Sequence, residues 1–511
     1  MKSKAKSSGP LGKIFGLLNK ATSEEREKTE AELPYAVMVF TLMAASGISP
    51  YDSWKKMRKL SFLPSFKKEA DEVVRQVEVL GKDPLTVMYQ RAEETNSKMY
   101  RNFLGGFVTS VRSGGHLVDY MKSQLKSIFE LRSISLTRSI DKIATLVEAY
   151  SVMLIVVLCT YILFVILSSS SVMDLLSSTS ITISPSTSYI IAFIVMPVLS
   201  GIFILMAHNM QRSAFPNLKD LYKKAIFFIV PAFAVIIAFA TISPLQEATK
   251  AIGIGLPEIA TIALVASALP PTIQYYRLAR INYNAEESIP SFIRDITESQ
   301  KTGLSPEKSI VQATKRKGYG PFSKFLALVR SQIEWGIPLR KTFDNLQKEI
   351  RSSFVIVNFA MMVETLEVGA NSVQSLEILS EYSEKEREIQ VNRRTLLKPY
   401  IILAFMWSAL IAVTTTIVAL TTTMMTGMVS TDLASNAIIA MKDQLNVFSV
   451  GIIVQCWISG FFIGKISEGN FGAGFKLSAL LAFTAYISLV LSQALLANTF
   501  SAIPIGFGGT T

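Results

Sequence analysis

Side chains that commonly carry out chemistry are few and scattered in this chain of 511 residues. The two histidines, His116 and His208, are far apart and form no cluster with cysteines or carboxylates at metal-ligand spacing. The two cysteines, Cys159 and Cys456, lie in apolar runs, so we expect two small buried side chains rather than a disulfide. The sequence has neither a Gly-x-x-x-x-Gly-Lys-Ser/Thr nucleotide loop nor a Gly-x-Ser-x-Gly nucleophile motif. We therefore predict a non-enzymatic protein without a cofactor, which depends on a partner for any ATP hydrolysis.

Two charged segments stand out in the polar parts of the chain. The run Lys315-Arg316-Lys317-Gly318-Tyr319-Gly320 is a basic loop, which fits either a solvated turn or a contact with a partner protein. The segment 381–388 alternates glutamates with Lys385 and Arg387, a pattern typical of a solvated helix face with local ion pairs.

The composition indicates a membrane protein with large soluble parts. Half of the residues are hydrophobic, yet 18% are charged, and the mean hydropathy is +0.37. A bilayer needs about 20 apolar residues in a helix. Seven runs near that length predict transmembrane helices at 149–170, 189–207, 225–243, 254–274, 399–419, 447–464 and 475–497.

The positions of the basic residues predict the orientation. Of the 51 lysines and arginines, all but Lys250 and Lys442 fall on one side of the predicted membrane. By the positive-inside rule that side is cytoplasmic, which places the N-terminus inside the cell membrane and the C-terminus outside. The basic excess either sets the topology and contacts anionic lipid headgroups, or it binds an acidic partner. Nucleic-acid binding is disfavoured, because the distribution of the basic residues follows the predicted membrane topology.

The motif Gly-x-Ser-Pro occurs twice in the chain, beginning at Gly47 and again 256 residues later at Gly303. Gly-x-Ser-Pro is a compact turn between helices, because glycine ends one helix while serine caps and proline begins the next. Further landmarks follow each copy in the same order, so we predict a duplicated module, each copy a bundle of about six helices. The landmarks are Pro34, Gly47, Pro50, Gly81 and Gly114 in the first copy, and Pro290, Gly303, Pro306, Gly336 and Gly369 in the second.

These patterns divide the chain into five parts and predict an all-α polytopic protein with two cytoplasmic helical bundles. Residues 1–31 form a basic arm, either flexible or lying on the membrane surface, since Leu11, Ile14, Phe15, Leu17 and Leu18 make a short amphipathic patch. The other predicted parts are the first module at 32–148, transmembrane helices one to four at 149–274, the second module at 275–398, and helices five to seven with an outer tail at 399–511.

Two cytoplasmic helical modules that each run into a membrane bundle, with a glycine late in each, resemble the type II secretion F-domain family. This family comprises platform proteins of type IV pili, type II secretion systems and archaeal surface filaments. Seven spans and a large basic loop resemble the archaeal branch, which includes archaellum and adhesive-pilus platforms. The family pattern places an acid shortly before the late glycine. Glu364 and Glu367 precede Gly369, whereas Arg112 and Ser113 precede Gly114.

The resemblance implies a platform in the cytoplasmic membrane that couples a hexameric secretion ATPase to extraction of pilin-like or archaellin subunits and their addition to a filament. It also implies a homo-oligomer, such as a dimer, among membrane lipids. The candidate ATPase contacts are Lys315, Arg316, Lys317, Glu364 and Glu367.

Two other classes of function remain open from the residues alone. A transporter or channel would account for the seven spans, but it usually carries ionisable residues inside its bundle, and the spans offer only Glu258 at an outer edge. A signalling receptor would use the soluble modules as its output, yet the longest predicted outer loop, 420–446, is short for a sensing domain.

Overall fold

The computed structural model describes residues 10–60, 62–167, 190–211, 219–242, 255–368, 372–427 and 434–501. Within these ranges the chain is helical and has no strand. This confirms the predicted all-α class.

The first copy of the module contains six helices. The outer two are long, and the four between them are short. They are α1 (Pro10–Ala45), α2 (Pro50–Met57), α3 (Pro64–Glu78), α4 (Pro84–Glu94), α5 (Lys98–Arg112) and α6 (Leu117–Leu167).

Between the two copies, the described residues form two further α-helices, α7 (Met196–Met210) and α8 (Lys219–Thr241). The second copy then repeats the order of the first, with a 3₁₀ turn at Gly320–Phe322. Its helices are α9 (Leu256–Lys301), α10 (Pro306–Thr314), α11 (Ser323–Glu334), α12 (Leu339–Glu349), α13 (Ser353–Val368) and α14 (Ser372–Gly427). The chain closes with α15 (Ala434–Glu468) and α16 (Phe471–Ser501).

The repeated Gly-x-Ser-Pro phrase forms the same turn in both copies. Gly47 and Gly303 have φ of 76° and 84°, a left-handed conformation that favours glycine after a helix. The hydroxyl of Ser49 accepts a hydrogen bond from the N–H of Asp52, and that of Ser305 accepts one from the N–H of Lys308. Each serine thus caps the following helix, whose first residue is proline.

The other landmarks also fall at corresponding places. Gly81 and Gly336 have φ of 63° and 77° in the turns after α3 and α11, and Gly114 has φ of 67° after α5. Pro34 and Pro290 lie inside α1 and α9. Gly369 lies outside the described residues.

Residues up to Leu136, together with 281–390, form one compact unit, which we call the soluble unit. Its hydrophobic core runs without a break through both copies, from Phe40 and Trp54 in the first to Phe292 and Phe322 in the second. The two copies therefore fold as one body.

Helix α1 lies at the centre of this core. Its residues 36–43 are buried on every face, which agrees with their apolar character all round the helix. One side packs on α2, α3 and α5 of the same copy, and the other packs on α13 of the second copy. The hydroxyl of Ser375 on α14 donates to the carbonyl of Leu42, 3.2 Å away. The equivalent helix α9 keeps an exposed face, which explains why its sequence is amphipathic.

Residues 137–280 and 391 onward form a second compact unit, the membrane unit. Among the described residues, seven helices are long and apolar enough to cross a membrane, as predicted: α6, α7, α8, α9, α14, α15 and α16. The predicted outer segment 420–446 is mostly helical, since α14 continues to Gly427 and α15 begins at Ala434. The predicted outer segments 171–188 and 244–253 lie outside the described residues.

Helices α15 and α16 pack so closely that side chains are excluded from their contact. A Cβ atom on Gly464 would lie 2.3 Å from the Cα of Gly474, and one on Gly460 would lie 2.2 Å from the Cα of Ser478. Small residues four positions apart on each helix allow this approach, as is common where membrane helices meet. Helix α15 is the most buried of the seven spans.

A hydrogen-bonded cluster joins three helices inside the membrane unit. The Tyr150 hydroxyl lies 2.7 Å from Oγ of Ser459 and 3.2 Å from Oγ of Ser200, and the Gln455 amide donates to the same Ser200 oxygen at 2.7 Å. Polar groups within an apolar bundle hold their helices together by such bonds.

Substituting Gly464 with valine should destabilise the protein by about 1–3 kcal/mol, because the added atoms overlap α16. Thermal unfolding of the purified protein in detergent measures the effect. Gly201→Val in α7 is the matched control, since a Cβ there meets nothing within 4 Å. Equal melting temperatures for the two variants would contradict close packing of α15 on α16.

Candidate functional site

The predicted basic loop joins α10 to α11 in the soluble unit, and Lys315, Arg316 and Lys317 are all exposed. Arg316 pairs with the carboxylate of Asp295 on α9, and the Tyr319 hydroxyl donates to the same carboxylate. Tyr319 is buried, with its ring edge-on to Phe292 at a centroid distance of 5.9 Å. The contacts of Arg316 and Tyr319 with Asp295 hold the loop on α9, while Lys315 and Lys317 face solvent.

The acids before Gly369 lie near the end of α13. Arg340 of α12 pairs with Glu364, and its guanidinium lies 3.6 Å from Oε2 of Glu367. The Glu364 side chain is only 15% exposed, whereas Glu367 is 40% exposed.

Glu364 also faces the first copy of the module. It lines a small pocket together with Val39, Leu42 and Met43 of α1. Burial raises the pKa of Glu364, although the cations Arg340, Lys56 and Lys59 oppose this shift. Glu364 therefore lies at the contact between the copies, which leaves Glu367 as the more accessible of the two acids.

A buried ion pair joins the copies a second time. Arg132 of α6 donates to Glu386 of α14 at 3.0 Å and to the hydroxyl of Tyr35 of α1 at 3.1 Å. The Glu386 side chain is 2% exposed and that of Arg132 is 22% exposed. Burial is the main reason that the pKa of Tyr35 rises to about 12. Nη1 of Arg132 and Oε2 of Glu386 are buried without a hydrogen-bond partner.

The prediction of a solvated face at 381–388 is correct for only part of that segment. Glu381 and Lys385 form an exposed pair four residues apart, with 2.8 Å between Oε1 and Nζ. Glu386 is buried instead, because α6 packs against this side of α14; the ring of Phe129 lies 5.0 Å from that of Tyr382. Sequence spacing gave no sign of this pairing, since Arg132 and Glu386 are 254 residues apart.

The remaining candidate residues have ordinary surroundings. Cys456 is buried as expected, but Cys159 is exposed, because it lies on an outward face of α6. His208 is exposed and stacks on Phe471 with 5.4 Å between ring centroids. No group of three histidine, cysteine, aspartate or glutamate side chains could hold a metal ion within the part of the chain that the structure describes.

These features define a polytopic helical membrane protein built around two copies of one soluble module. The chain belongs to the type II secretion system protein F family, whose model matches residues 36–165 and 292–420. The matches run from the last part of α1 through most of α6, and from the last part of α9 into α14. Each match includes most or all of the predicted span that follows the module.

Similarity to a curated protein extends over almost the whole chain. The uncharacterized protein MJ1286 of Methanocaldococcus jannaschii is 22% identical over 494 residues, which cover 91% of this chain and 80% of that protein. No solved structure matches the chain.

Removing one member of the buried ion pair should destabilise the soluble unit strongly. Arg132→Met leaves the Glu386 carboxylate buried without its partner, which typically costs about 3–5 kcal/mol. Arg132→Met combined with Glu386→Leu should recover most of the loss, because an apolar pair of similar volume leaves no buried charge. Thermal unfolding of the purified variants measures both effects.

Arg75→Met is the control for this pair, because Arg75 makes an exposed ion pair with Glu72 on α3 and should leave the melting temperature unchanged. A double variant as unstable as Arg132→Met alone would contradict the view that the unpaired charge causes the loss.

Proposed function

We propose that this protein is the non-enzymatic membrane platform of a machine that assembles a type IV pilus-like filament. It couples a cytoplasmic hexameric secretion ATPase to the extraction of pilin-like subunits from the bilayer and their insertion at the filament base. The observation that carries this proposal is that two modules of the protein F family share one core in a chain whose described residues include seven helices long and apolar enough to cross a membrane. A partner must supply the ATPase activity, because the sequence has no nucleotide-binding loop.

Charge supports a cytoplasmic position for both modules, the N-terminus inside and the C-terminus outside. On the predicted topology, all but two of the 51 lysines and arginines fall on the same side of the spans as the modules, and the exceptions are Lys250 and Lys442. Basic residues near the ends of spans are retained on the cytoplasmic side during insertion. The soluble unit would then be directly accessible to a cytoplasmic motor.

We assign the filament to the archaeal class of these machines, an archaellum or an adhesive pilus. The support is the span number and the similarity to a protein of Methanocaldococcus jannaschii, an archaeon, over most of both chains. By analogy with the family, the platform acts as a homo-oligomer such as a dimer.

The basic loop of the second copy is our candidate for contact with the motor. Lys315 and Lys317 are exposed, and the loop that carries them is held on α9 by Arg316 and Tyr319. A loop fixed in this way loses little conformational freedom when it binds, which favours affinity. Glu367 adds an exposed acid on α13 of the same copy.

Purification of the tagged protein from its native membrane in mild detergent, followed by mass spectrometry, tests the function. We expect a P-loop ATPase and pilin-like subunits to co-purify. A preparation that retains neither, even after mild crosslinking, would contradict the platform. Flux of a solute through proteoliposomes of the protein alone would then support a transporter.

Reversing the exposed charges of the loop should weaken binding of the ATPase. Lys315→Glu with Lys317→Glu changes the surface but keeps the Arg316–Asp295 pair, so folding and membrane insertion should be unaffected. We expect at least a tenfold loss of affinity, equivalent to about 1.4 kcal/mol, in a pull-down at matched salt.

Lys67→Glu with Lys68→Glu is the matched control, because these two lysines are exposed on α3 of the first copy. Equal ATPase binding by the two double variants would remove the loop from the proposed contact without affecting the platform itself.

A further inference from the structure

In each copy of the module, two of the helices between the long ones form a hairpin that ends in an exposed turn. Residues 79–83 join α3 to α4, and residues 335–338 join α11 to α12. We call these two turns the hairpin tips. Trp335 is 82% exposed, Val79 74% and Leu80 60%. Of the four tryptophans, all of which lie in the described ranges, Trp335 alone is exposed. Both tips therefore place large apolar side chains in solvent.

Leu80 and Trp335 hold the same position in the two copies, each directly before a glycine in the left-handed conformation. Isolated exposed apolar residues are common on protein surfaces and need no explanation. Here the preceding residue differs, Val79 in one copy and Glu334 in the other, so similar local sequence does not account for the agreement. A protruding tryptophan is typical of residues that supply much of the energy of a protein–protein contact. The recurrence indicates that both tips bind.

Hydrogen bonds show where the first hairpin begins and ends. The N–H of Ser65, in the first turn of α3, donates to Glu32 of α1 at 2.8 Å. The hydroxyl of Ser97, which follows α4, donates to Glu30 of α1 at 3.1 Å. Both ends of the hairpin therefore lie beside residues 30–32 of α1. The first tip lies at the far end of α3, roughly 20 Å away at 1.5 Å per residue.

The second hairpin has the same relation to α9. Just before α11, the carbonyl of Tyr319 lies 3.5 Å from Oγ of Ser288. After α12, the N–H of Ser352 donates to Oδ1 of Asn282 at 3.0 Å. Both ends of this hairpin therefore lie beside residues 282–288 of α9. The second tip lies at the far end of α11, again roughly 20 Å away.

The chain enters and leaves the soluble unit at the end opposite the tips. It leaves after residues 136 and 390 and returns before residue 281. Arg132 and Glu386, close to the first two points, both contact the hydroxyl of Tyr35, three residues from Glu32 on α1. The third point directly precedes Asn282. Both tips therefore lie away from the connections to the membrane unit.

This position and the charges near the tips indicate the kind of partner. Since the chain passes to the membrane unit from the other end, a protein surface is favoured over lipid for the tips. Lys82 lies in the first tip and Lys341 shortly after the second, and both are exposed. An apolar turn beside a basic residue complements an apolar pocket with an acidic rim. Two like tips on one body need two like pockets, which a partner with identical subunits presents.

We propose that the two hairpin tips insert into equivalent apolar pockets on two subunits of the secretion ATPase, with Leu80 and Trp335 as the anchors. This inference rests on the proposed function, which supplies a ring of identical subunits. The core shared by both copies fixes the separation of the tips. Once one tip is bound, the other is held at a high effective concentration near the next pocket, so the pair binds far more tightly than either tip alone.

Binding of the purified ATPase ring to the full-length protein in lipid nanodiscs tests the tips, using the ATPase identified by co-purification. One variant is Trp335→Ser, and the other is Val79→Ser with Leu80→Ser. Each should weaken binding of the ring by roughly tenfold or more, because each removes one of two linked anchors. Leu131→Ser is the matched control, since Leu131 is 48% exposed on α6, near the opposite end of the unit. It should bind as the unchanged protein does.

Single ATPase subunits separate two linked anchors from one strong site. With an ATPase variant that cannot form its ring, the unchanged protein should bind two subunits per chain. Each tip variant should then bind one subunit, with the affinity of the remaining tip unchanged. The melting temperature should stay constant in all variants, because the substituted side chains lie outside the core.

Three results would overturn the proposal. Tip variants that bind the ring as tightly as Leu131→Ser would exclude the tips from the contact, while the platform function would stand. A change in the oligomeric mass of the tip variants, measured by light scattering without ATPase, would assign the tips to a second copy of this chain. Failure of the unchanged protein to bind the ATPase in either form would reject the platform function together with the tips.

Discussion

The central constraint on this structure is that residues 36–43 of α1 carry an apolar surface on every side of the helix and must therefore be covered on every side. Its own module covers only part of that surface, and α13 with α14 of the second copy covers the rest. Because both copies are needed to cover α1, they share one hydrophobic core. The burial of Glu386 and the partial burial of Glu364 follow in turn, because both side chains face the contact between the copies.

Local patterns in the sequence predicted most of the fold. The seven spans followed from runs of apolar residues, and the two six-helix modules followed from helix periodicity with turns at regular positions. The Gly-x-Ser-Pro turn was predictable from its residues alone. The glycine ends one helix, the serine caps the next, and the proline begins it. Residues 36–43 of α1 are mostly apolar where the equivalent part of α9 is amphipathic, and this difference agrees with the central position of α1.

The candidate site was less predictable, because its properties depend on partners distant in sequence. Glu386 belongs to a charged helix that looks solvated, and only the approach of Arg132 shows that it is buried. In the sequence, Arg316 is one of three adjacent cations. The structure distinguishes it from the other two, because it forms an ion pair with Asp295. The close contact of α15 with α16 did have a local signal, since Gly460 and Gly464 are four residues apart in an apolar run.

The shared core also has a consequence for the order in which the protein is made. Leu42 and Ser375, which meet in that core, are 333 residues apart in the chain. At a synthesis rate of roughly 5–20 residues per second, the middle of α1 waits about 15–70 s for the helices that cover it. Four spans enter the membrane during that interval. Until those helices are made, the middle of α1 has an uncovered apolar side, and such a transiently exposed surface makes an unfinished chain prone to aggregation.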